Sequence, residues 1–344
     1  MNYKNNVRRA SLVAAGVLTA LSAANAAVTL DAGFDADGLA FIDFSTSTDS
    51  ARAVAMDADN KVLLAGLARQ GPSSAYVDAA AVLRLNADGT LDTTFGTGGK
   101  FTAVGGTPAN FGGADARAIA VQSDGRIVIA GYFNQNDGSG PKVMAMRLLA
   151  NGTLDPAFGT GGVAVFAKSG RADSIAIQSD GRIVLAGFTA VPSAGNRGLV
   201  MRLEANGTLD STFGTAGFYE LADTFSVEFR DVRILSTGSI LVAGTNDDLL
   251  LVRLTSAGQP DTTYSGDGIA SANLSTEVVS GATLKSGDGI EAMAIDTDGS
   301  VVVAGGSRPA TGNLRAVLAR FTPAGALETG FGTDGWREVP IRTT

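Results

Sequence analysis

Five arginines, Arg84, Arg147, Arg202, Arg253 and Arg320, each stand at the end of an apolar segment. Each is followed at near-constant spacing by an acid: Asp92, Asp155, Asp210, Asp261 and Glu328. Opposite charges held at one spacing can form charge-assisted hydrogen bonds, and a ring of guanidiniums can alternatively bind an anion. A side chain repeated once per unit is read first as structural, tying a strand to the corner that follows it. The chain has no His and no Cys. That removes imidazole general bases, Ser-His and Cys-His nucleophile pairs, thiolate metal sites and disulfides. Asp-rich turns at Asp35-Ala36-Asp37-Gly38, Asn86-Ala87-Asp88-Gly89 and Asp296-Thr297-Asp298-Gly299 look like half of a calcium loop. The later bidentate acid that such a loop needs is missing. Ordinary turns are the main reading, no cofactor is expected, and calcium is the minor alternative. The FGTGG segments lack the Lys-Ser/Thr ending and the helix that a phosphate cradle requires. Asn151, Asn206 and Asn273 head glycosylation sequons, but the first two lie in a repeated turn, which explains them without a sugar.

The elements that must position these side chains are repeats. Four phrases recur in fixed order. A strand with apolar residues two apart (AVAMD 53–57, AIAVQ 118–122, SIAIQ 174–178) is followed after a tight turn by a wholly apolar one (VLLAG 62–66, IVIAG 127–131, IVLAG 183–187). A third strand ends in Arg plus an apolar residue (VLRL 82–85, MAMRL 144–148). A corner follows, NADGTLDTTFGTGG at 86–99 and its near copies at 151–162 and 206–217, and then a fourth strand (GKFTAV 99–104, GVAVF 162–166). The phrases are short, rich in Val and Ile, and bounded by Gly, Asp and Asn, as strands are. Asp-Gly turns accept positive φ and mark hairpins. Gly66, Gly131, Gly187, Gly244 and Gly305 close the second strand of each unit. They let neighbouring backbone approach closely.

Four antiparallel strands repeated five times, with no helical periodicity, predict an all-β β-propeller of five four-stranded blades. An open β-solenoid or a different blade count is the alternative. The joint pattern of the Asp-Gly-Arg hairpin and the Leu-Asp…Phe-Gly corner resembles the delta-60 repeat, a bacterial repeat of unknown function assigned to β-propellers. The resemblance spans roughly residues 30–340 and implies a fold and an envelope location, but no activity. The fourth unit departs most, with Tyr264-Ser265 in place of Phe-Gly. Residues 30–44 and 328–341 are both copies of the corner and its strand, giving six copies of that strand against five of the others. The expectation is five blades whose termini meet at the closure.

Residues 1–26 read as a signal peptide: Lys4, Arg8 and Arg9, an apolar stretch, and Ala24-Asn25-Ala26 as the cleavage pattern. Residues 27–344 read as one propeller domain, exported to the periplasm, cell surface or medium, without a membrane span once the leader is gone. Net charge is −8, and loss of three leader cations makes the rest more acidic, so nucleic acid is not an expected partner. A monomer is expected.

Taking the fourth phrase as the innermost strand, the corner would join the outer strand of one blade to the inner strand of the next. The corners and hairpins would share one face, and the dissimilar loops the other. Variable loops on a rigid scaffold are where recognition usually lives. Candidate ligand contacts there are Tyr76, Asp78, Phe111, Tyr132, Phe133, Asn134, Asp137, Phe225, Glu228, Asp247 and Asp248. The leading functional reading is an exported binding or scaffold module for a protein or glycan at the cell envelope. A carboxylate-based glycoside hydrolase or lyase, which needs only two acids about 5–10 Å apart, is the alternative from another class. A purely structural surface repeat is the third. No catalytic motif favours an enzyme.

Overall fold

The computed structural model describes residues 30–44, 48–71, 76–103, 111–135, 140–274, 277–279, 282–284, 287–308 and 313–340. The expected leader and Asp137 lie outside them. All regular structure among the described residues is β.

Blade one comprises β1 (Asp49–Met56), β2 (Val62–Gln70), β3 (Val77–Leu85) and β4 (Lys100–Ala103), hydrogen-bonded in that order. Blade two begins with β5 (Phe111–Val121), β6 (Ile127–Gln135) and β7 (Pro141–Leu148). The 15-residue strand β8 (Val163–Ile177) then serves two blades. Its first half pairs with β7, and from Gly170 onward it pairs with β9 (Ile183–Val191) as the first strand of blade three. β10 (Gly195–Leu203) and β11 (Phe218–Leu221) complete that blade. Blade four is β12 (Glu228–Ile234), β13 (Ile240–Thr245), β14 (Leu249–Leu254) and β15 (Ile269–Ala272). A hairpin of β16 (Glu277–Val279) and β17 (Ala282–Leu284) precedes blade five, which is β18 (Gly289–Ile295), β19 (Val301–Ser307), β20 (Arg315–Phe321) and β21 (Trp336–Glu338).

This order corrects the expected boundary between blades. The corner after Arg84 leads from β3 to β4 in one sheet, so it is an intrablade connection. The first strands, not the fourth, are innermost: β1, β5, β8, β12 and β18 lie each beside the next. The two faces keep their composition, because moving the boundary by one strand leaves the same turns together. Hairpins and corners share one end of the blades, and the dissimilar loops share the other.

The second strand of blades two, three and four is covered on both sides, as its uninterrupted apolar sequence requires, while β19 of blade five is buried only at alternate positions along Val301–Ala304. β6 and β13 are buried over Ile127–Gly131 and Ile240–Gly244. Four hydrophobic clusters fill the four junctions between successive blades, around Phe95 and Met146, Phe158 and Met201, Phe213 and Val242, and Tyr264 and Phe321. None joins blade five to blade one among the described residues. The expected closure of blade five on blade one is thus not represented by a hydrophobic cluster among the described residues. Residues 30–38 instead seat a corner on blade one, with the Asp35 N–H donating to the Asp88 carbonyl at 2.7 Å.

Candidate functional site

Each first strand carries a β-bulge at the same place. The register slips between Ala51 and Ala53, Ala116 and Ala118, Ala172 and Ser174, Phe229 and Asp231, and Ile290 and Ala292. A bulge inserts one residue and redirects it. The bulged residues are Arg52, Arg117, Asp173, Arg230 and Glu291. The recurrent glycine of the second strand is what makes room for them. A Cβ on Gly66, Gly131, Gly187, Gly244 or Gly305 would stand 1.9–2.1 Å from the carbonyl oxygen two residues before the bulge.

The redirected side chains meet across blades. Arg52 Nε lies 3.4 Å from Asp115 Oδ2, and Arg117 Nη1 lies 3.6 Å from the same oxygen. Arg117 Nε also reaches Asp173, which receives Arg171 Nε at 2.9 Å and Arg230 Nη1 at 3.5 Å. Arg230 Nη2 then donates to Glu228 Oε2 at 2.5 Å, and Asn196 Nδ2 to Glu228 Oε1 at 2.6 Å. The result is a charge ladder across the inner strands of blades one to four. Its two deepest acids, Asp115 and Asp173, have side chains 2% and 5% exposed, while the side chains of Arg117, Arg171 and Arg230 are 21–24% exposed and that of Arg52 is 39% exposed. The acids form a floor and the arginines its accessible rim. Burial raises the Asp115 carboxyl above its ordinary range, an effect partly offset by Arg52 and Arg117. Burial opposes the charge on Arg117, but Asp173 and Asp115 outweigh it and raise its pKa. Hydrogen-bonding capacity is left over at both signs: Asp115 Oδ1 and Arg230 Nε are buried without a partner among the described residues.

The loop residues proposed from the sequence divide around this ladder. Tyr132 faces Asp115 across the β5–β6 pair, and burial together with Asp115 raises its phenol pKa. Glu228 is a member of the ladder. Asp78 is close enough to Asp115 to influence its charge, and is itself held by Arg69 Nε at 2.9 Å. Tyr76 is 45% exposed, 5.7 Å from the Arg69 guanidinium. Asn134 is exposed, Phe225 is 37% exposed, and Asp247 is half-buried at the β13–β14 turn. Phe111 opens β5. Two of these residues need correction. Phe133, expected on the loop face, is 2% exposed in the core between blades one and two. Asp248 is 9% exposed and accepts from Asn273 Nδ2 at 2.8 Å, so it is a structural anchor.

The recurrent arginines lie at the other end of the blades. Nε of Arg84, Arg147, Arg202 and Arg253 donates to Asp92, Asp155, Asp210 and Asp261 at 2.7–2.8 Å, and Arg320 Nε lies 3.0 Å from Glu328. In the first four, a second guanidinium nitrogen donates to the next blade's turn, at the carbonyls of Ala150, Ala205, Ser256 and Pro323. Each of these four also lies 4.6–4.8 Å over the aromatic ring of its own corner. Every face of the guanidinium is committed to the scaffold. Turn carboxylates are likewise used by their own loops, as where Asp88 accepts from the Thr90 N–H and hydroxyl. Among the described residues no three acids converge as a metal cage.

The ladder was missed because no column of identical residues marks it. A signal was nonetheless present: the residue before the apolar core of the first strand is charged in all five units, as Arg, Arg, Asp, Arg and Glu. Cavities of about 450 and 240 Å³ lie elsewhere, at the corners of blades one and two and beneath residues 40–44.

The chain is similar to a solved protein of unknown function from Bacteroides caccae at 12% identity, covering 81% of this chain and 80% of that one, with a TM-score of 0.45. An unknown-function protein from Dyadobacter fermentans shares 12% identity over 77% and 73% of the two chains, with a TM-score of 0.46. A glucose dehydrogenase shares 15% over 73% and 76%, with a TM-score of 0.39. No curated protein matches. The family model for a β-propeller domain of unknown function, DUF5122, matches residues 58–95, 122–158, 178–213, 235–264 and 297–331. These segments are just over half of the chain, which therefore belongs to the DUF5122 β-propeller family.

Proposed function

We propose that this protein is an exported binding module that takes a polyhydroxylated ligand, a glycan, across the charge ladder at the loop end of its inner strands. The observation that carries the reading is the bulge column: where the blades otherwise repeat, this one position is always charged but carries both signs, Arg in blades one, two and four and an acid in blades three and five. Sugar hydroxyls both donate and accept, which matches a surface where partly exposed guanidiniums of Arg52, Arg117, Arg171 and Arg230 stand beside the carboxylate of Glu228. Tyr132 adds an aromatic surface beside it. The ladder's charges largely cancel, so neither a strong anion nor a strong cation is its natural occupant. Hydrolysis by two carboxylates is less well supported, because the deepest acids are covered by arginines instead of facing an open space.

The test is a glycan array with the exported chain, followed by a reducing-sugar release assay on every bound glycan. Binding without release, weakened by Arg171→Gln, is the expected result. Release of reducing ends, or binding indifferent to Arg171→Gln, contradicts the reading.

A further inference from the structure

One backbone contact recurs at every junction between successive blades. The residue after the corner aromatic donates its N–H to the turn of the next blade: Gly96 to Asn151, Gly159 to Asn206, Gly214 to Ala257 and Ser265 to Ala324, at 2.7–2.9 Å. The ring of Phe95, Phe158, Phe213 or Tyr264 fills the place where a side chain on Gly152, Gly207, Gly258 or Gly325 would stand. Residues 30–38 repeat this contact on blade one, with Phe34 against Gly89 and the Asp35 N–H on Asp88. They occupy the seat that a preceding blade's corner would take.

Blade five's own corner is left without a seat. The Gly332 N–H has no acceptor among the described residues. Phe331 is half-buried, whereas its four counterparts are at most 1% exposed. Arg320 turns back to Asp296 and Asp298 of its own blade. The sheet face beside it is open too. Val302, Ala304, Ala316 and Leu318 are only half-buried, while the corresponding Leu241, Ala243, Leu249 and Leu251 of blade four are at most 1% exposed. Leu314 is 60% exposed.

We propose that the open face of blade five docks blade one of a second copy of this chain, its corner taking the Gly89 seat as that copy's residues 30–44 swing away. The occupant follows from continuity with the existing interfaces, since this is the face by which each earlier blade binds the next. The resident segment is a poor tenant. Asp35 holds φ +47 where the other corners have Gly at +54 to +64 or Ser265 at +53, a region that L side chains disfavour. Phe41 is 85% exposed, and a cavity of about 240 Å³ remains between residues 40–44 and the sheet. The incoming corner offers Gly332, already at φ +64. Face and seat are different surfaces of one chain, so the association is head-to-tail.

The experiment is sedimentation equilibrium of the full chain, comparing wild type with Phe34→Ala, Asp35→Gly and the double variant Phe34→Ala/Leu318→Glu. Phe34→Ala should associate at least about tenfold more tightly than wild type, and Leu318→Glu should abolish the gain. Asp35→Gly, which relieves the resident corner, should weaken association, and it tests the idea even where Phe34→Ala does not fold. Association that survives Leu318→Glu, strengthens with Asp35→Gly, or is unchanged in Phe34→Ala overturns the proposal. So does a Phe34→Ala monomer with a smaller Stokes radius in a parallel sedimentation-velocity run, because that is ring closure within one chain.

Discussion

At the scale of single residues, the recurrent arginine and its acid act as a rivet through the scaffold. Arg147 and Asp155 have side chains 7% and 4% exposed. Removing one partner strands a buried charge, and Asp155→Ala should cost about 3–5 kcal/mol in urea unfolding. The same change at Asp261 should cost less, since that pair is 16% and 15% exposed. Burial works against ionisation at Asp92, Asp155 and Asp210, yet hydrogen bonds and the arginine outweigh it and hold these carboxyls below their ordinary range. At Asp261 the hydrogen bond from Thr263 leads in the same direction. A depressed carboxyl stabilises the fold above its unfolded value, about pH 4, and that contribution is lost as pH falls through the folded value. Asp115 and Asp231 act oppositely, since burial raises both. Stability should therefore hold or rise slightly from neutral pH to about 4 and fall below it, as circular dichroism melts across pH would show. Tyr264 is a local imperfection. Its hydroxyl is buried without a partner, and burial raises its pKa well above the usual phenol value. Tyr264→Phe should raise stability by about 1–3 kcal/mol, visible as a higher melting temperature.

At the scale of elements, the first strand and the glycine of the second form one device. The bulge places a charged side chain on the inner face, and the missing Cβ lets the displaced carbonyl in. Gly187→Ala would set a methyl 2.1 Å from the Arg171 carbonyl oxygen, backbone that cannot step aside. The strand must flatten or shift, and a loss of about 1–3 kcal/mol is expected in thermal melts, together with weakened ligand binding. The strands themselves were legible, because apolar periodicity and Asp-Gly turns are local signals. The blade boundary was not. Nothing in NADGTLDTTFGTGG says whether the following strand returns to its own sheet or starts the next, and β8 does both in one extended run. Pairing across some 15 residues is decided by packing, which the pattern does not encode.

At the scale of the whole molecule, scaffold and candidate site separate along the chain. The family model covers every Arg–acid pair and the three Asp-Gly hairpins at Gly125, Gly181 and Gly299, and it omits Arg52, Asp115, Arg117, Arg171, Asp173, Glu228, Arg230 and Glu291. What repeats builds the blades, and what varies lines their inner edge. Exposed-loop reasoning from the sequence reached Tyr132, Asp78 and Glu228 but also took in Phe133, because a Tyr-Phe pair in an alternating strand must send one ring inward. The remaining ladder residues stayed hidden because their shared property is charge, not identity, and their convergence is three-dimensional. The most direct test of the binding role is calorimetric titration of an array-identified glycan into wild type and Arg230→Gln. Asp173 keeps Arg117 and Arg171 in that variant, so the fold should hold. The account predicts at least about a tenfold loss of affinity with little change in melting temperature. Unchanged affinity in a folded Arg230→Gln protein would contradict it.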